Sequence, residues 1–288
     1  MTGFEWWDYE AVLRLVISSA LEEDAARRDV TTGAMGKAAQ ARHRCDLVAG
    51  EELVVCGWSG VEMTYDLLGC GVEVRKVVSE GRSVTEGGLL GTLTGPAGCL
   101  LQGERVALNV LCRLSGVATL TSRVISAVEG TGVDVLDTRK TVPGMRALQR
   151  HAVGAGGGQN HRFDLAGMGM IKDNHIQAMG GIDKVSRLVG AIEEAGVPVE
   201  VEVDSIFQLK KVLTMRPDRI LLDNMSPREI SEAVSLSRGT GIYIEASGGI
   251  DEENAREIAE TGVDGISVGS LTHSAPAVDI SFEWRGPC

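Results

Sequence analysis

The chain has 288 residues, 43% of them hydrophobic and 24% charged, which excludes a disordered chain and allows either one large barrel or two domains. A formal net charge of −12, from 28 Lys and Arg against 40 Asp and Glu, argues against nucleic acid or an anionic membrane as partner. Glycine is abundant, 37 residues against 7 prolines, which suits tight loops that approach a ligand closely.

The N-terminus has no basic segment, and no apolar run reaches the length of a membrane span, so a soluble cytoplasmic protein is expected. Helical spacing of Val12, Leu13, Val16, Ile17, Ala20 and Leu21 predicts a helix over 9–23 with Asp8 as its N-cap. From His43 to about Thr94 the pattern becomes short strand-like runs, at 53–56, 72–78 and 89–93, with one helical stretch over 61–68. These elements read as a small α+β domain. Gly95-Pro96-Ala97-Gly98 breaks the pattern, and 101–128 is predicted helical. Six cysteines contain no C-x-x-C pair, so neither a zinc site nor a disulfide framework is expected.

Beyond Val133, strand candidates recur at 133–136, 168–171, 199–203, 220–222, 242–244 and 266–268, separated by helical segments such as 184–194 and 252–261. Strands alternating with helices in this way give right-handed βαβ units and a parallel sheet, open or closed into a barrel. Each strand runs into a polar or glycine position: Asp137 to Lys140, Lys172, Glu202, Asp223, Ser247 and Gly269. In an α/β barrel the C-terminal strand ends carry the active site.

Between Arg139 and Lys172 the bases Arg139, Lys140, Arg146, Arg150, Arg162 and Lys172 face only Asp164, with His151 and His161 in the same stretch. This reverses the balance of the whole chain and suits recognition of carboxylate or phosphate, the alternative being a solvated basic face. Gly156-Gly157-Gly158 before Gln159-Asn160-His161-Arg162 is either an anion cradle or a flexible connection. Glu202 and Asp223 end successive strands, where carboxylates bind Mg²⁺, hold sugar hydroxyls or stabilise a developing ribosyl cation. On a regular strand Glu200, Glu202 and Asp204 share one face. Ser247-Gly248-Gly249 and Gly269-Ser270 supply the glycine-and-helix pattern of a phosphate site.

Asp29-Val30-Thr31-Thr32, Asp137-Thr138-Arg139-Lys140-Thr141-Val142-Pro143-Gly144, the 156–162 loop, Ile171-Lys172-Asp173-Asn174-His175, Glu200-Val201-Glu202-Val203, Leu222-Asp223-Asn224, Glu245-Ala246-Ser247-Gly248-Gly249-Ile250 and Leu271-Thr272-His273-Ser274 together resemble the motifs of the quinolinate phosphoribosyltransferase family. The resemblance implies an α/β fold: an incomplete parallel TIM-like barrel over 115–274, preceded by a smaller α+β sandwich domain over 1–114 on which the tail 275–288 packs. It implies transfer of phosphoribose from phosphoribosyl pyrophosphate to quinolinate with decarboxylation, using Mg²⁺, in a homodimer.

Carried over by motif, Arg139, His161, Arg162 and Lys172 hold the substrate carboxylates, with Arg105 supplied by the partner subunit and Thr138 among the substrate contacts. Lys140, Glu202 and Asp223 are the implied catalytic residues, the two acids also facing Mg²⁺. Ser247, Gly248, Gly249, Gly269 and Ser270 bind the 5-phosphate, with His273 close by. Arg28, His151 and Gly167 depart from the family's usual glycine, tyrosine and acidic residue. Two other readings are a nicotinate phosphoribosyltransferase that does not decarboxylate, and a non-catalytic barrel that binds a phosphorylated ligand.

Overall fold

The computed structural model describes residues 8–288, so residues 1–7, on which the reading of the N-terminus rested, lie outside the described residues. The described chain forms two compact units. One takes in residues 8–122, Thr141–Gly157 and Thr272–Cys288; the other takes in Arg123–Lys140 and Gly158–Leu271. Thr141–Gly157, which sequence position alone assigns to the barrel, thus belongs to the first unit.

The first unit opens with the expected Tyr9–Glu23 helix, started by Asp8, whose carboxylate accepts the N–H groups of Glu10 and Ala11. Its sheet has four antiparallel strands in the order Ile280–Pro287, Arg42–Ala49, Leu89–Pro96 and Glu73–Lys76. The Arg42–Ala49 and Ile280–Pro287 strands had not been singled out in the sequence. Buried Asp46 fixes their pairing, since its two oxygens take the Nε–H groups of Arg44 at 3.0 Å and Arg285 at 2.8 Å. The expected break at Pro96 is instead a direct passage from strand to helix: Pro96 pairs with Arg42, and the Ala97–Ala127 helix begins at the next residue.

The core of this unit joins Leu13 and Ile17 of the first helix to Trp58, Val61 and Tyr65 of the Trp58–Leu68 helix, Leu47, Leu90 and Leu93 of the sheet, and Leu111 and Leu114 of the long helix. Burial of this kind stabilises by about 25 cal/mol per Å² of apolar surface removed from water. Gly116 lets the tail lie against the long helix, for a Cβ there would stand 1.9 Å from the Pro276 carbonyl oxygen. The cysteine expectation is corrected here. Cys70, just past the C-cap of the Trp58–Leu68 helix, and Cys99, in the first turn of the long helix, form a disulfide with their Cα atoms 6.3 Å apart. No spacing rule announces this pair, because their proximity arises from the strands folding back between them.

The second unit contains the six expected strands, Asp134–Leu136, Gly169–Ile171, Val199–Val203, Arg219–Asp223, Tyr243–Ser247 and Gly265–Ser267, all parallel. The sheet runs Asp134–Leu136, Gly265–Ser267, Tyr243–Ser247, Arg219–Asp223, Val199–Val203, Gly169–Ile171. The first two strands in the chain are therefore its two edges and do not pair, which leaves the barrel incomplete. Only an isolated bridge from Leu136 to Gln159 extends the first edge. Valines at 199, 201 and 203 are buried on one side of their strand, while Glu200 and Glu202 alternate on the other. Among the described residues no helix is long and apolar enough to cross a membrane.

Candidate active site

A cavity of about 320 Å³ opens at the C-terminal ends of the parallel strands, lined by Asp137, Thr138, Arg139, Lys140, His161, Arg162, Met170, Lys172, Glu202, Leu221, Asp223, Ser247 and Ser267. Strand direction explains the gathering. Lys172 follows the Gly169–Ile171 strand, Glu202 is the penultimate residue of its own, and Asp223, Ser247 and Ser267 end theirs. Because all six strands run the same way, residues far apart in sequence meet on one face.

Cations dominate one wall. Burial, and then the guanidinium of Arg139 beside it, drive the pKa of Arg162 down, so like charges are held together where water is scarce. Such crowding favours a bound anion, which relieves the repulsion. Arg162 is aimed by its own backbone and by Met168, whose carbonyl accepts Nη1–H at 2.9 Å. Lys172 and Glu202 form an ion pair across neighbouring strand ends. Asp223 accepts a 2.8 Å hydrogen bond from the side-chain amide of Asn224, whose backbone N–H donates to the Ser247 carbonyl at 2.9 Å. The next residue, Gly248, has φ +103°, and a Cβ on it would meet the Asn224 side-chain oxygen at 2.2 Å. Glycine is required at that contact by both conformation and space.

Beneath the cavity lies a buried polar floor that the motifs did not disclose as a unit. His161 Nε2 faces Glu200 at 3.0 Å and Glu245 at 3.5 Å, and Arg219 pairs with both carboxylates. Ser267 also hydrogen-bonds Glu245, and the Arg219 guanidinium lies 4.0 Å over the Tyr243 ring. Burial opposes charge on His161, but Glu200 and Glu245 outweigh it and push the ring up to about 9. The backbone pulls the other way, because the Arg162 N–H donates to His161 Nδ1 at 2.7 Å and that nitrogen must be bare to accept it. The hydrogen bond decides the assignment, so the ring carries its proton on Nε2, toward the acids. Burial raises Glu200, whereas His161, Ser267 and Arg219 overcome burial to hold Glu245 down. The N–H of His161 donates to buried Asp137 at 2.8 Å, tying this floor to the first strand.

The cavity thus brings together Thr138, Arg139, Lys140, His161, Arg162, Lys172, Glu202, Asp223 and Ser247. Gly248, Gly249, Gly269 and Ser270 follow strand ends on the same face but are not among its lining residues. Arg105, exposed on the long helix, and His273, whose Nδ1 meets Ser274 Oγ at 2.5 Å, belong to the other unit. Asp204 lies beyond its strand and is exposed, away from the role its spacing suggested beside Glu200 and Glu202. His175 caps the short Asp173–Ala178 helix by accepting the Lys172 N–H at 2.9 Å.

Comparison with known proteins agrees with this geometry. Residues 29–115 match the model of the quinolinate phosphoribosyl transferase N-terminal domain, and residues 117–283 match that of the C-terminal domain. The nicotinate-nucleotide pyrophosphorylase (carboxylating) of Mycobacterium leprae is 43% identical over 215 residues, 74% of this chain and 75% of that protein. The probable enzyme of that name from Synechocystis is 37% identical over 265 residues, 91% of this chain and 89% of that protein. The structure of the nicotinate-nucleotide pyrophosphorylase of Francisella tularensis superposes with a TM-score of 0.90 at 33% identity, covering 96% of this chain and 97% of that one. Human nicotinic acid phosphoribosyltransferase, at 14% identity and a TM-score of 0.58, shares the fold alone. With both domains matched in order and relatives aligned over most of its length, this chain belongs to the quinolinate phosphoribosyltransferase family.

Proposed function

We propose that the chain transfers the phosphoribosyl group of phosphoribosyl pyrophosphate to quinolinate and releases carbon dioxide, giving nicotinate mononucleotide and pyrophosphate. The observation that carries this reading is the cavity itself, where Arg139, Lys140, Arg162 and Lys172 crowd one site shared with Glu202 and Asp223. A dianionic pyridine needs several cations to leave water, and a ribosyl centre losing its leaving group needs fixed negative charge nearby.

In this mechanism Arg139, Arg162 and Lys172 bind the two carboxylates, with His161 and Thr138 completing the wall. Lys172 exchanges its Glu202 partner for substrate, and the freed Glu202 turns to the ribose with Asp223. The pyridine nitrogen attacks C1 as the bond to pyrophosphate breaks, with Lys140 facing the departing charge. The positive charge of the quaternised nitrogen then stabilises the electron pair left on the adjacent carbon when carbon dioxide departs, and that carbon takes a proton from water. Ser247, Gly248, Gly249, Gly269 and Ser270 receive the 5-phosphate, with His273 near it.

Glu202 and Asp223 offer the hard oxygen donors that Mg²⁺ prefers, and they would hold it together with substrate oxygens. When bound, the ion neutralises charge on the pyrophosphate. Arg105 is assigned to the partner's cavity in a homodimer. The test is product formation from quinolinate, phosphoribosyl pyrophosphate and Mg²⁺, with nicotinate in parallel. Equal yields of carbon dioxide and nicotinate mononucleotide from quinolinate are expected; turnover of nicotinate alone would overturn the reading.

A further inference from the structure

Cys56, Glu80 and His151 converge within the first unit from three separate stretches of chain, and their sulfur, oxygen and nitrogen atoms all lie within 4.8 Å of one another. Cys56 comes two residues after the Leu53–Val54 strand and is fully buried. Glu80 lies in the turn before Ser83–Val84, and His151 stands on the Arg146–Ala155 helix. The side chains of His151 and Glu80 are 41% and 28% exposed, so the cluster is closed behind the thiol and open on the imidazole side.

The cluster is also oriented. Glu80 Oε1 accepts the backbone N–H groups of Gly57 at 3.0 Å and Trp58 at 2.9 Å, which leaves Oε2 facing His151 Nε2 at 2.8 Å. The His151 ring packs on Tyr9 with centroids 4.5 Å apart, and the Tyr9 hydroxyl is held by Ser59 at 2.8 Å. Outer contacts of this kind fix the direction in which a ligand atom points. Thiolate, imidazole and carboxylate together form the donor set of a borderline divalent ion, and not of Mg²⁺ or Ca²⁺, which take oxygen alone.

We propose that Cys56, Glu80 and His151 form a site for a zinc-class divalent cation, with water as the fourth ligand. Tetrahedral bonds of about 2.0–2.1 Å put nitrogen and oxygen roughly 3.3 Å apart, so the cation opens the His151–Glu80 contact by about half an ångström. It takes the place of the proton shared there and displaces the proton of the Cys56 thiol. Burial, with Glu80 adding to it, pushes that thiol's pKa up, so the thiol stays protonated until a cation arrives. The site uses none of the residues assigned to the transferase reaction, and the inference does not rest on that reaction.

The test is an anaerobic titration of the metal-free, disulfide-intact full chain with Co²⁺, followed by competition with Zn²⁺. One Co²⁺ per chain should give a thiolate-to-cobalt charge-transfer band that one equivalent of Zn²⁺ removes. The band should vanish in Cys56→Ala, and affinity should fall by more than roughly 100-fold in His151→Ala, whose site lies at the surface. Circular dichroism checks that each variant is folded. Absence of the band in the wild type, its survival in Cys56→Ala, or unchanged affinity in His151→Ala would each overturn the proposal.

Discussion

Lys172 and Glu202 neutralise each other at the ends of neighbouring strands, so the cation wall is partly discharged from within the protein. An incoming carboxylate has to compete with Glu202 for the same ammonium. Glu202→Gln should therefore lower kcat by roughly 100-fold while leaving quinolinate affinity equal to or tighter than wild type. Steady-state kinetics and equilibrium binding separate the two effects.

Arg139→Ala or Lys172→Ala removes a charge-assisted contact that the crowded guanidinium groups make valuable. Each should reduce kcat/KM by about 100-fold or more, equivalent to ~2.7 kcal/mol. Near-wild-type kinetics for both would refute their placement on the substrate.

The buried floor predicts a loss of stability as pH rises. Glu200 holds its proton more tightly folded than unfolded, because burial raises its pKa. Its contribution is complete below the unfolded carboxylate value and disappears as pH rises through the folded one. Urea denaturation at a series of pH values should show stability falling as pH climbs above the ordinary carboxylate range in the wild type. Glu200→Gln, whose amide stays neutral, should flatten that part of the profile.

The Cys70–Cys99 bridge closes a loop with a sequence separation of 29. Restricting the unfolded chain over such a loop is worth about 3.6 kcal/mol. The Cys70→Ser variant should lose a comparable amount in urea denaturation and, unlike the wild type, should not respond to a phosphine reductant.

Gly248→Ala tests the turn that follows Ser247. The positive φ and the Asn224 side chain both oppose a methyl group there. A stability loss of about 1–3 kcal/mol is expected, along with weaker binding of phosphoribosyl pyrophosphate. Thermal melts and binding titrations measure both.

The sequence made the barrel legible because each of its six strands is an apolar run ending in a polar or glycine position. Arg139, Lys140, Lys172, Glu202, Asp223 and Ser247 were readable for the same reason. Periodicity did not disclose the Arg42–Ala49 strand, where two arginines, a histidine and an acid interrupt the apolar pattern and Asp46 is shared between nearby Arg44 and distant Arg285. Nor did it disclose the grouping of His161 with Glu200, Arg219 and Glu245, since each looks like an isolated charge until the sheet order brings them together. Cys70 and Cys99 were hidden by the same kind of three-dimensional closure.

The pairing of Ile280–Pro287 with Arg42–Ala49 also sets a timetable for synthesis. Ser281 and its neighbour Val48 are 233 positions apart. At ribosomal speeds of roughly 5–20 residues per second, Arg42–Ala49 waits ten seconds or more for its partner. During that interval a strand destined for the sheet interior is an open edge, able to pair with another nascent chain. The barrel strands all emerge within the same interval, so the second unit can assemble before the first has its last strand.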